Sequence, residues 1–301
     1  MKINAKEKLK TMKNIMKKII TTILFLLIMT ALPLICVAEE LKAVDQKQEE
    51  DKVTGEVDLS ALSAYIWRGQ ELSRQSVVIE PAITVSYKGL SLNVWGNMDT
   101  RPYSAGDAKY AANYTETDFT ISYSKKFGIL QVTPGYIYYG LGAPYAGGTD
   151  PLDSQELFLT LGLDTILAPT LTTYKEIDHY HQWYFLLGVS HTFEFNKVVS
   201  LKLAASASYL LSTDETTYAK YDSDSLATAD KFNNFHDGMA TVSLPLAVYK
   251  SLIITPTVSY VFPLSDDAKY EMKARGLQAA AIPSDRDSAY LYGGVTLSCA
   301  F

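Results

Sequence analysis

In 301 residues the chain carries 33 Asp and Glu against 27 Lys and Arg, a net charge of −6, with 48% hydrophobic residues, 21 tyrosines and two cysteines. An acidic balance of this kind excludes a nucleic-acid binder, and two cysteines exclude a fold stapled by several disulfides. Beyond the N-terminus no long unbroken apolar run occurs, which excludes a helical membrane protein.

Seven lysines between Lys2 and Lys18 precede an apolar run, Ile19 to Cys36, and a small-residue cleavage site, Cys36-Val37-Ala38, ahead of Glu39-Glu40. Residues 1–38 read as an export signal, with Met12 and Met16 as alternative starts. An anchoring helix is the weaker reading, because Thr21, Thr22, Thr30 and Pro33 interrupt a run that barely reaches the ~20 residues needed to span a bilayer. A lipoprotein reading of Cys36 is weaker still, since Ile35 stands where such signals carry a small residue. Cleavage removes seven lysines and one glutamate, leaving a net charge of about −12 and Cys299 as the single cysteine. Residues 39–54 are charged and lack apolar periodicity, as in a disordered periplasmic tail.

From Gly55 to Phe301 (residues 55–301) the side chains alternate with a period of two, the pattern of strands with one apolar face. The first strand is expected to run from Gly55 to Trp67, with Val57, Leu59 and Ala61 on the apolar face and Glu56, Asp58, Ser60 and Arg68 on the other. The second sets Ile79, Ile83 and Val85 against Glu80, Thr84 and Ser86, and the third spans Leu90 to Asp99. Further strands follow near 113–123, 130–138, 156–163, 170–178 (with ambiguous faces), 183–192, 199–209, 242–248 and 252–262. The last runs from Ala289 to Phe301. Short connections near Gly89, Phe127, Ala168, Asn196 and Lys250 alternate with long ones after Trp67, Asp99, Gly140, Asp178, Ser212 and Pro263. The longest is the segment from Pro263 to Ser288.

An even strand number with short turns at one end and long loops at the other predicts an all-β fold. The expected architecture is a transmembrane antiparallel up-and-down β-barrel of about 12 strands in the bacterial outer membrane, ringed by its lipid. A soluble sandwich or lipocalin-like barrel alternates too, but its polar face meets water and carries about 25–35% charged residues. Here the polar faces of the ninth, eleventh and twelfth strands are mostly Ser, Thr, Gly and Ala. The last strand must pair with the first to remove both sheet edges. Its aromatic end, Phe301, resembles the C-terminal signature of outer-membrane barrels, which implies the barrel-assembly machinery as a partner.

Tyr65, Trp67, Arg68 and Gly69, then Pro81-Ala82, then Trp95, Asn97 and Asp99 form a pattern across the first three strands. It resembles that of a proteobacterial family of uncharacterised exported proteins. The resemblance implies an outer-membrane protein and brings no activity or catalytic residues with it.

Arg68 is expected to face the lumen at the outer mouth, either as an eyelet charge for anionic groups or as a strut paired with Glu80 on the neighbouring strand. Gly69 then permits the sharp exit into the loop. The other inward candidates are acidic: Glu56, Asp58, Glu80, Asp99, Glu116, Asp118, Glu156, Asp164, Glu194 and Asp237. Against them stand Arg68, Lys88 and Lys202. A carboxylate lining favours cations, while the plainer reading leaves most of these groups in bulk water at strand ends. The pore-lining candidates are Arg68, Glu80, Asp99, Asp118 and Lys202.

Asp178-His179-Tyr180-His181 carries two alternating histidines without a third ligand, a weak metal signal, and no nucleophile motif occurs. No catalytic residue, cofactor or metal is therefore assigned. Tyr65, Tyr87, Tyr123, Tyr138, Tyr209 and Tyr260 are read as interfacial anchors. Tyr103, Tyr110, Tyr145, Tyr218 and Tyr221 either pack over the mouth or contact a ligand such as a sugar or nucleoside. The expected function is a narrow channel for small solutes. The alternatives are a structural or adhesive barrel with a plugged lumen and, behind it, an outer-membrane hydrolase.

Overall fold

A computed structural model describes residues 52–73, 76–100, 113–142, 152–276 and 283–301. The expected export signal, nearly all of the periplasmic tail, and Tyr103, Tyr110 and Tyr145 lie outside these residues.

Twelve strands form the wall: β1 (Thr54–Leu62), β2 (Val78–Tyr87), β3 (Leu90–Asp99), β4 (Asn113–Tyr123), β5 (Leu130–Leu141) and β6 (Ser154–Leu163). They are followed by β7 (Thr170–Glu176), β8 (Gln182–Glu194), β9 (Ser200–Ser212), β10 (Asn233–Ser243), β11 (Leu252–Pro263) and β12 (Tyr290–Ala300). Each pairs antiparallel with the next, and β12 returns to β1 with Val57 opposite Cys299 and Leu59 opposite Leu297, so the sheet closes. At the seam the backbones of Gly55 and Phe301 exchange hydrogen bonds of 2.9 and 2.8 Å. The Phe301 ring lies over Gly55, where a Cβ would come within 2.2 Å of it.

The period of two places the apolar side chains outside. Leu187 and Val258 are 54% and 51% exposed, and exposed apolar side chains recur on most staves. Such a band suits hydrocarbon, and closure gives strand amides partners that lipid cannot supply. On the inner face, short hydroxyl pairs tie adjacent staves, as in Ser60 with Thr296, Thr160 with Thr172 and Thr241 with Ser259, each at 2.9 Å. On β7, whose faces the sequence leaves ambiguous, Thr172 and Glu176 are buried inward and Lys175 lies outward over the Trp183 ring. At the short-turn end Lys88 and Gly89 both have positive φ (50° and 84°), the two-residue turn that matches strand twist.

Four features depart from the alternation. The first strand stops at Leu62, not Trp67, and the chain folds into the barrel, where Ile66–Trp67 pairs with Gln70–Glu71. The link between β7 and β8, expected to be long, is residues 177–181. It is drawn tight by the Glu176 carboxylate, which accepts from the amides of Asp178, His179, Tyr180 and His181 at 3.0, 2.8, 2.8 and 2.7 Å. β10 begins at Asn233 rather than near Val242 and passes a register irregularity opposite Ala207 and Tyr209.

Finally, the segment from Pro263 to Ser288 contains a helix, α1 (Asp266–Arg275). Ser265 caps it, accepting from the Ala268 amide at 3.1 Å, with Asp266 and Asp267 in its first turn and Lys273 and Arg275 in its last. Alternation could not reveal a helix whose residues are mostly polar. Ser265 followed by two aspartates is the cue that could have.

Candidate functional site: a brace across the lumen

The turn of the inward hairpin is Arg68-Gly69, with φ of 46° and 77°. Between Trp67 and Gln70 this is again the two-residue turn that needs positive φ twice, and glycine supplies one of the two without strain. A Cβ on Gly69 would meet Asp237 Cβ and Met272 Cε at 2.9 Å, so the turn is packed tightly against β10 and α1.

The hairpin carries Arg68 across the barrel. Its guanidinium donates to Glu156 Oε2 on β6 at 2.6 Å, with the two side chains 6% and 1% exposed. The group lies 4.5, 5.0 and 4.3 Å from the ring centroids of Trp67, Tyr174 and Tyr184. In a ring of twelve staves, β6 to β8 stand opposite β1. The expected partner Glu80 sits on the adjacent stave; the observed partner is half a circumference away. A stacked, fork-shaped cation suits this place, since rings and a carboxylate compensate for lost water.

The root of the hairpin is tied to the wall. Tyr65, expected outside as an anchor, is buried in the lumen and donates to Glu116 at 2.9 Å. Its amide donates to Ser73 Oγ at 2.8 Å, and Ser76 donates to Asp99 at 2.6 Å. Above it, α1 contributes Glu271, which is fully buried. This carboxylate accepts from Gln70 at 2.8 Å and from the Tyr218 hydroxyl, and it lies 2.8 Å from His236 Nε2 and 3.2 Å from Arg275 Nε. His236 Nδ1 meets Asp237 at 2.9 Å, and Asp237 also accepts from Ser208 and Tyr184 at 2.7 and 2.9 Å. Burial, with Glu271 alongside, pushes the Tyr218 phenol well above its ordinary range. Met272 and Ala268 of α1 close a core with Tyr184, Leu210, Tyr218 and Phe232 inside the outer half of the barrel.

Of the pore-lining candidates, Glu80 and Asp118 come together on the inner wall with Glu116, and Glu156 adjoins Asp118. Asp99 is buried where the hairpin returns to the wall. Lys202 is exposed toward the short-turn end, lining a second cavity of about 250 Å³ with Gly188, Ser190 and Thr241. Asp164 pairs with Lys126 at 2.6 Å in the exposed turn region, apart from the lumen cluster. His179 Nδ1 bonds to the Asp153 carbonyl at 2.8 Å, and Ser208 donates to Asp237; among the described residues no group of three or more His, Cys, Asp or Glu is placed to hold a metal ion. Sequence reasoning missed Glu271, which sits on a helix inside a loop, and His236, which sits on β10 ahead of the start that the alternation suggested.

Between the hairpin and the wall lies a cavity of about 320 Å³ lined by Tyr65, Trp67, Tyr139, Gln182, Tyr218 and Arg275.

These features define a transmembrane antiparallel barrel of the bacterial outer membrane with a braced lumen. Among solved structures the chain is similar to the KdgM porin, at 11% identity and TM-score 0.46, covering 82% of this chain and 99% of that one. It is likewise similar to the NanC porin, at 10% identity and TM-score 0.47 over 81% and 98%. A third is an outer membrane channel from Pseudomonas putida F1, at 9% identity and TM-score 0.41 over 87% and 100%. No family model matches the chain, and no curated protein does.

Proposed function

We propose that the protein is a narrow outer-membrane channel for small solutes, constricted in its outer half by the Arg68 hairpin and α1 and favouring cations. The observation that carries this is a closed barrel whose lumen keeps open volume alongside the constriction, about 320 Å³ between hairpin and wall, and a further 250 Å³ or so toward the short turns. Its preference for cations would come from Glu80, Glu116 and Asp118, because Arg68 is neutralised by Glu156. The β12 strand ending at Phe301 is the segment the barrel-assembly machinery would capture.

Planar-bilayer recording of the refolded mature protein tests the reading. Discrete current steps with a reversal potential on the cation side are expected, and the absence of steps would sink it. A second reading, a structural barrel with a plugged lumen, is favoured by the buried Glu271 network that pins α1; it predicts a silent bilayer.

A further inference from the structure

We infer that the cavity between the inward hairpin and the wall is a binding site for a neutral, hydroxyl-bearing ring solute of monosaccharide size. This deepens the channel reading by naming a solute class for the same lumen. Small-molecule sites enclose about 300–1,000 Å³, so about 320 Å³ admits one ring and excludes a chain of them.

The lining chemistry narrows the class. Five aromatic rings line the space, those of Tyr65, Trp67, Tyr139, Tyr180 and Tyr218. Three of the four phenol hydroxyls already donate to carboxylates: Tyr65 to Glu116, Tyr139 to Glu156 and Tyr218 to Glu271. Arg68 lies over the Trp67 ring and Arg275 over the Tyr218 ring, so what these residues leave for a ligand is the remaining ring surface, which suits the C–H face of a pyranose.

The cavity is lined by one carboxylate, Glu116, and one guanidinium, Arg275. Glu116 accepts from Tyr65, and Arg275 lies beside Glu271 and donates to the Thr217 carbonyl at 3.1 Å. A cation would face Arg275 and an anion would face Glu116; a neutral ligand meets neither like charge. Gln182, 1% exposed, lines the same space, and its Oε1 has no hydrogen-bond partner among the described residues. A buried acceptor left open wants a donor, and a sugar hydroxyl is one. Rings for the apolar face and an amide for the hydroxyl edge are the two halves of carbohydrate recognition.

The test uses the refolded barrel carrying Trp95→Phe and Trp183→Phe, so that Trp67 alone reports. Methyl glucoside should give a saturable change in Trp67 emission. The change should weaken about tenfold in Gln182→Leu and also in Leu141→Phe, which narrows the cavity without removing a polar group or adding a second tryptophan. Heat-shifted mobility on gels confirms that each variant is folded. The inference is overturned if methyl glucoside gives no saturable change, if both variants respond as the parent does, or if uridine binds and the glucoside does not. Conductance of the same preparation separates the two readings. Current steps without a glucoside response overturn this inference and leave the channel standing. A glucoside response in a silent bilayer supports the site and removes the channel.

Discussion

Replacing Arg68 by alanine isolates the brace. The substitution deletes one partner of a 2.6 Å ion pair whose two side chains are 6% and 1% exposed, and it leaves Glu156 buried without its cation. Tyr139 still donates to Glu156 at 2.9 Å, so the carboxylate keeps one neutral partner. Breaking a buried pair from one side costs about 3–5 kcal/mol, because the surviving charge cannot return to water. The guanidinium also leaves three aromatic rings, and the loss of those contacts acts in the same direction. Urea unfolding in detergent micelles, followed by tryptophan emission, should show Arg68→Ala with a much lower midpoint. Adding Glu156→Gln removes the stranded charge and should recover about 2 kcal/mol in a double-mutant cycle. An Arg68→Ala protein with the parent midpoint, or a double variant no more stable than the single one, would refute the argument that this pair holds the hairpin in place.

Three other outcomes follow from the same geometry. Glu271→Ala leaves His236, Gln70 and Tyr218 without their shared acceptor and Arg275 without its ion-pair partner, so α1 should loosen at a cost of about 3–5 kcal/mol. Proteolysis of 266–275 in folded barrels, slow in the parent, should become fast. Gly69→Ala places a methyl 2.9 Å from Asp237 and Met272 on a backbone at φ 77° and should destabilise by about 1–3 kcal/mol, read by the same urea titration. Ser265→Ala removes the α1 cap and should cost about 1 kcal/mol, visible as a smaller rise in the same proteolysis rate.

The wall was legible because lipid outside and a small polar lumen inside enforce one period over every stave. β3 runs from Leu90 to Asp99 and β12 pairs with β1 as the alternation requires. The period continues through Ser63, Tyr65 and Trp67, however, although the strand has ended. Alternation says which side chains share a face only while the chain stays in the sheet, and it carries no mark of where the chain leaves. Gly69 marks a tight turn in the sequence, expected as the exit into the loop; with Arg68 it is instead the tip of an inward hairpin. Arg68 was recognised as a lumen cation on its residue type, but its partner depended on the diameter of the closed ring, a quantity no local pattern encodes. Among the carboxylates, residue type alone could not separate Asp164, exposed beside Lys126, from Glu156, buried beneath Arg68.

The hairpin that joins β1 to β6, β7 and β8 also has a mechanical meaning. A closed ring of strands resists stretching around its circumference, where every unit of strain pulls on hydrogen bonds, but it yields readily to flattening, which only bends the sheet. A rod fixed across one diameter removes that soft mode. The outer half of this barrel should therefore hold its round section against lateral pressure from the bilayer. The inner half, walled by small side chains such as Gly188 and Ser190, remains free to ovalise. Stiff collar and compliant base would then respond differently to membrane tension, and any change of bore under load would begin at the end nearer the short turns.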